Sequence, residues 1–116
     1  MRGKSIPKIV EIVAGAAESK KALDLKVLDV RKTSKVVDWL VICSGESAPQ
    51  IRAIEKEIEA LLRKNKIKGL KREGVMSSGW VILDLGSVVV HIMGVAEREY
   101  YRLEELWGKE AVVYHY

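Results

Sequence analysis

The stretch Trp80-Val81-Ile82-Leu83-Asp84-Leu85-Gly86-Ser87-Val88-Val89-Val90-His91-Ile92-Met93 decides the fold. Two runs rich in β-branched residues flank a Gly-Ser pair, and glycine supplies the positive φ that the first position of a tight hairpin turn demands. A hairpin therefore joins residues 80–85 to residues 88–93. With a period of two, Trp80, Ile82 and Asp84 share one face of the first strand, and Val81, Leu83 and Leu85 share the other. His91 lies on the face opposite Val90 and Ile92. Asp84 and His91 can thus fall on one face within reach of each other. Three readings of that pair stay open: a hydrogen bond fixing the hairpin, a catalytic pair, or the polar centre of a protein interface. Trp80 and Trp107 are anchors of the type enriched at interface hot spots, though either can equally fill a core.

Upstream of the hairpin, Trp39-Leu40-Val41-Ile42-Cys43 is continuously apolar, as a strand covered on both faces requires. Ser47-Ala48-Pro49-Gln50 has capping-box spacing, the Ser47 hydroxyl reaching forward and the Gln50 side chain back. Ile51, Ile54, Ile58, Leu61 and Leu62 then form one apolar helical stripe. Cations from Arg63 to Lys68 close that helix beside the negative end of its dipole. Upstream, Ser5 caps a first helix with apolar Ile6, Ile9, Val10, Val13 and Ala17 at helical spacing, and Pro7 is tolerated in its first turn. Residues 25–31 read as a strand ending in the polar turn 32–35. Residues 70–73 form a short charged edge strand, and a last helix spans about 97–106. The order α-β-β-α-β-β-β-α predicts one α/β (α+β) domain over 1–116, with helices packed on a mixed five-stranded sheet.

Composition narrows the function. The chain has 116 residues, 48% hydrophobic and 31% charged, with a net charge of +4. No apolar run approaches the roughly 18 residues a membrane span needs, and the start lacks the apolar core of a signal peptide. The lone Cys43 cannot form an internal disulfide, so a reducing cytoplasm is expected. Charge is polarised: residues 1–36 carry nine Lys/Arg against four acids, and residues 74–116 carry three against six. A basic side of this kind suits an anionic partner, although charged helix faces also simply confer solubility.

Enzyme chemistry finds little support. His91 and His115 make no metal-ligand cluster, and no phosphate-cradling glycine loop ending in Lys-Ser/Thr occurs. Gly45-Glu46-Ser47-Ala48-Pro49 lacks the second glycine of a nucleophile elbow. Metal-dependent nucleotidyl transfer needs paired acids on a strand, yet none of Asp24, Asp29, Asp38 and Asp84 has an acid two positions away. No cofactor is therefore expected. Six of the ten residues from Arg63 to Arg72 are basic, but no aromatic lies among them to stack bases. Lys68, Lys71 and Arg72 suit phosphate contacts without sequence readout.

The chain resembles the ribosome silencing factor family, the Iojap-like proteins, over nearly its whole length. The resemblance rests on Val27-Leu28-Asp29-Val30, Asp38-Trp39-Leu40-Val41-Ile42-Cys43-Ser44-Gly45, Gly79-Trp80-Val81-Ile82-Leu83-Asp84-Leu85-Gly86, Val88-Val89-Val90-His91-Ile92-Met93 and Glu97-Arg98-Glu99-Tyr100-Tyr101-Arg102-Leu103-Glu104-Glu105-Leu106-Trp107. It implies a nucleotidyltransferase-like fold without the metal-binding acids, and a non-enzymatic function. That function is to bind the large ribosomal subunit through ribosomal protein uL14, block joining of the small subunit and so repress translation, with a further role in subunit maturation. The resemblance assigns partner contacts to Trp80, Asp84, His91, Tyr101, Leu106 and Trp107; charge alone adds Lys68, Lys71 and Arg72 as contacts to nearby ribosomal RNA. Ser87 departs from the acid usual after the hairpin glycine. The competing readings are residual nucleotide binding or nucleotidyl transfer, and a non-specific RNA-binding module. A sticky partner-binding face also suits a homodimer in the free state.

Overall fold

The computed structural model describes residues 6–75, 79–107 and 111–115. Its elements are α1 (Lys8–Ser19), β1 (Leu23–Asp29), β2 (Trp39–Gly45), α2 (Ala48–Lys64), β3 (Lys71–Val75), β4 (Trp80–Asp84), β5 (Val88–Gly94), α3 (Val95–Tyr101), a 3₁₀ turn (Leu103–Trp107) and β6 (Val112–His115). All five expected strands are present, in a mixed sheet ordered β3-β4-β5-β2-β1-β6. The sixth strand, β6, pairs antiparallel with β1 and extends the edge. Only β2 and β5 run parallel; the other neighbours are antiparallel.

Period two divides the sheet between two cores. Every residue of β2 is buried. Its Trp39, Val41 and Cys43 join Val81, Leu83, Val90 and Ile92 beneath α1 and α2 in the larger core. Leu40 and Ile42 point the other way, into a smaller core with Leu28, Val30, Met93 and Ala111. The apolar stripe of α2 packs as its spacing requires, with Ile51, Ile54, Ile58 and Leu62 buried.

Ser47 is the N-cap of α2, its Oγ accepting from the Gln50 amide at 3.2 Å. The return contact differs from a standard capping box. Gln50 Oε1 accepts from the Glu46 amide at 2.6 Å, one residue earlier than expected, and its Nε2 donates to the Lys21 carbonyl at 2.9 Å. That side chain therefore ties the end of α1 to the start of α2. The N-cap of α1 is Pro7, with no side-chain cap bond; the expected cap, Ser5, lies outside the described residues.

The hairpin turn is the expected one. Leu85 N–H donates to the Val88 carbonyl at 2.8 Å across Gly86-Ser87, and Gly86 takes φ +88. The Ser87 carbonyl accepts from both the Asp38 and Trp39 amides, so this turn also starts β2. Gly74 on β3 has φ +97, and a Cβ there would run into the Trp80 carbonyl oxygen.

The expected helix over 97–106 is corrected. It is broken at Arg102, which adopts the left-handed conformation at φ 46 and caps α3, after which the chain tightens into the 3₁₀ turn.

Candidate functional site

On the face away from α1 and α2, the hairpin is only partly covered. Val81 and Leu83 of β4 are sealed beneath the helices, while Trp80, Ile82 and Asp84 are half-buried on the other side. Register sets Met93, His91 and Val89 of β5 opposite them in turn, with Lys71 of β3 beside Asp84. Val89 and His91 are likewise half-buried. The result is a small patch, mostly apolar, with two polar groups.

The expected pairing of Asp84 with His91 is not made. His91 stands opposite Ile82, and Asp84 opposite Val89. His91 instead accepts from the Trp80 indole, Nε1 to Nδ1 at 3.0 Å. Asp84 Oδ1 accepts from the Gly86 amide at 2.8 Å and braces the turn. An imidazole whose Nδ1 accepts carries its proton on Nε2, so the patch presents a neutral ring with an N–H donor. Burial pushes the His91 pKa down to about 4, which keeps the ring neutral at physiological pH.

Aromatic residues continue the patch onto α3. The Tyr101 ring lies 4.9 Å from that of Trp80 at 49°, and Tyr100 packs edge-on against Tyr101 at 4.9 Å. Tyr100 is 80% exposed, Tyr101 53% and Leu106 73%. Exposed aromatic and aliphatic groups of this size beside a half-buried tryptophan are what a protein-binding surface presents. Trp107 is half-buried against the smaller core, and its indole Nε1 is enclosed without a hydrogen-bond partner. The structure thus sets Trp80 against both His91 and Tyr101, places Asp84 at the turn end of the same face, and leaves Leu106 exposed but Trp107 half-buried on the 3₁₀ turn.

The basic candidates divide differently. Lys68, Lys71 and Arg72 are all exposed. Arg72 is already engaged: its Nε donates to Glu55 Oε2 and its Nη1 to the Gly74 carbonyl at 3.2 Å. That ion pair lets Glu55 sit buried on α2.

A polar cluster at the carboxyl ends of β2 and β5 escaped the sequence reading. Arg98 of α3 is only 7% exposed. Its Nε and Nη2 donate to Glu104 at 3.0–3.3 Å, and its Nη1 donates to Ser44 Oγ of β2 at 3.2 Å. Asp24 Oδ2 lies 3.4 Å from Nη2, and Lys26 Nζ lies 3.4 Å from Glu104. Burial opposes charge on Glu104, but hydrogen bonds from Arg98 and its own backbone, with the fields of Arg98 and Lys26, outweigh it and hold its carboxyl below the usual range. Asp24 adopts φ 47 at an irregularity in the β1–β2 register. Arg98 and Glu104 are six apart, a spacing that marks no shared helical face, so only the break at Arg102 brings them together. Leu23, Asp24, Ser44, Val95, Arg98 and Glu104 border an open cleft of about 420 Å³. Carboxylates outnumber cations around it, the opposite of a phosphate cradle. Among the described residues no group of three His, Cys, Asp or Glu is placed to hold a metal ion, and no helix is long and apolar enough to cross a membrane.

The chain is similar to known proteins throughout. A family model described as ribosomal silencing factor during starvation matches residues 3–115. A ribosomal silencing factor of Bacillus subtilis is 44% identical over 100 residues, covering 86% of this chain and 85% of that protein. The mouse protein named for mitochondrial assembly of the ribosomal large subunit is 29% identical, covering 84% of this chain and 44% of its own. A crystal structure of a Chromobacterium violaceum protein matches with a TM-score of 0.84 at 32% identity, over 90% of this chain and 88% of that one.

Proposed function

The chain belongs to the ribosomal silencing factor family, and on that premise we propose that it binds the large ribosomal subunit through ribosomal protein uL14. Occupying that surface keeps the small subunit from joining and lowers translation; the mouse relative's name supports a parallel part in large-subunit assembly. The protein acts by binding and carries no chemical step, and its place of action is the cytoplasm, where ribosomes are assembled and used.

One observation carries the reading: the half-open face of β4 and β5, where Trp80 is fixed by His91 and flanked by the exposed Tyr101. A tryptophan whose rotamer is already set loses little entropy on binding, and anchors of this kind dominate interface energies. Asp84 and the His91 Nε2 donor supply polar specificity at the rim. Lys68 and Lys71 are the exposed cations offered to neighbouring ribosomal RNA, with Arg72 contributing less because Glu55 and Gly74 engage it. In the absence of ribosomes the same face suits self-association into a homodimer.

Co-sedimentation with purified large subunits tests this, using wild type beside Trp80→Ala and Asp84→Arg, followed by addition of small subunits. Wild type binds and lowers subunit joining, and each folded variant loses roughly tenfold or more in affinity. Equal binding by all three removes the proposed surface, and failure of wild type to bind removes the function.

A further inference from the structure

Residues 95–107 carry three of the six side chains assigned to the binding surface, Tyr101, Leu106 and Trp107, yet little apolar contact fastens them to the sheet. Arg98 is the one buried residue of α3, and the 3₁₀ turn has none. Val95, Tyr100, Tyr101 and Leu106 face solvent, leaving Leu103 and Trp107 half-buried on the smaller core. Helices below roughly 12–15 residues are marginal by themselves in water, so α3 and the turn after it depend on what docks them. Apart from the Lys26–Glu104 pair, the polar docking contacts converge on one side chain.

We propose that Arg98 is the positioning residue of the binding surface. Its fork on Glu104 clamps the 3₁₀ turn to α3 across the left-handed Arg102, and its reach to Ser44 clamps both to the sheet. Tyr101 is thereby held against Trp80. The inference rests on the assignment of the surface made above. Arginine is specific to the task because its planar fork offers five donors in fixed directions; lysine offers a point charge that cannot bridge Ser44 and both oxygens of Glu104 at once. Glu104 is fixed from its other side by Lys26 of β1, and Arg98 from its outer side by Asp24. The latch therefore spans β1, β2, α3 and the 3₁₀ turn, and removing either central partner leaves a largely buried charge only partly compensated.

Hydrogen exchange on the free protein reads the latch without the ribosome, and co-sedimentation reads its consequence. Arg98→Lys keeps the charge without the fork, and Glu104→Gln keeps the shape without the charge. In each, amide exchange across residues 95–107 accelerates by roughly tenfold or more while β2 and β5 keep wild-type protection. Large-subunit affinity falls by about tenfold alongside, and the double variant is little worse than either single one, as coupled residues behave. Unchanged exchange across 95–107 in both variants overturns the proposal. Acceleration spread evenly through β2 and β5 overturns it as well, since Arg98 would then be an ordinary core group. Loosening of the segment with unchanged affinity removes its functional half. Wild type that fails to bind large subunits sinks the surface itself, while the exchange result still decides the positioning role.

Discussion

The two faces of this sheet are built from the same strands and meet different fates. On one, α1 and α2 bring Val10, Val13, Ile54 and Ile58 down onto Val81, Leu83, Val90 and Ile92, and the layer is sealed. On the other, Leu103 and Trp107 of the 3₁₀ turn pack on Leu28, Leu40, Ile42 and Met93, and Trp80 and Val89 of the hairpin stay only half-buried. Adjacent residues therefore do different work: Val81 and Leu83 hold the fold, while Trp80 and Ile82 between them remain accessible. Attachment differs too, because apolar contact secures the helical layer and a charged latch secures much of the other. Stability is concentrated on the first face, and the proposed function places recognition on the second.

Ile58→Ala carries the largest expected effect. The substitution empties part of the sealed core and costs about 2–5 kcal/mol in urea denaturation, while the folded variant keeps wild-type affinity for large subunits. Loss of affinity at full folding would show that the faces are not separable.

Acid probes the other face. Burial of His91 lowers its pKa from 6.5 to about 4, so the unfolded chain binds the proton more readily than the folded one. The stability this gives is present in full above pH 6.5, is lost as pH falls toward about 4, and amounts to up to about 3 kcal/mol. Protonating Nδ1 also removes the acceptor of the Trp80 indole. Denaturation curves across that pH range show the loss in wild type and a shallower slope in His91→Gln. Parallel slopes in the two proteins would contradict it.

The smallest effect belongs to Ser47→Ala. Removing the N-cap of α2 costs about 1 kcal/mol, measurable in urea, with no change in ribosome binding.

The sequence made the hairpin, the two-sided β2 and the stripe of α2 legible because each is a local pattern with one strong reading. Gly86-Ser87 names its turn, and Ser47 with Gln50 names a helix start. The break at Arg102 was hidden: Tyr100-Tyr101-Arg102-Leu103 contains no glycine, proline or asparagine, and an arginine in the left-handed region is set by tertiary contacts that no local pattern encodes. The Arg98 latch was hidden with it, since its partners lie 54 and 6 residues away. The final strand was readable in principle, because Val112-Val113-Tyr114 has strand composition, but a short run near a terminus competes poorly with the blocks before it. The Asp84–His91 pair failed for a simpler reason. Sharing a face in a hairpin does not make two residues opposite, and register placed Ile82 across from His91. The Trp80 indole donates to His91 Nδ1, and Asp84, which can only accept, takes the Gly86 amide instead of an imidazole N–H.

We propose that one face of the sheet recognises the ribosome and the other does not. Hydrogen exchange of the chain with and without purified large subunits tests it most directly. Added protection is expected in β4, β5 and residues 95–107, with α1 and α2 exchanging as in the free protein. Protection confined to α1 and α2, where Lys20 follows α1 and Lys56 and Arg63 stand exposed on α2, would contradict it and make the basic helical layer the ribosome-binding side.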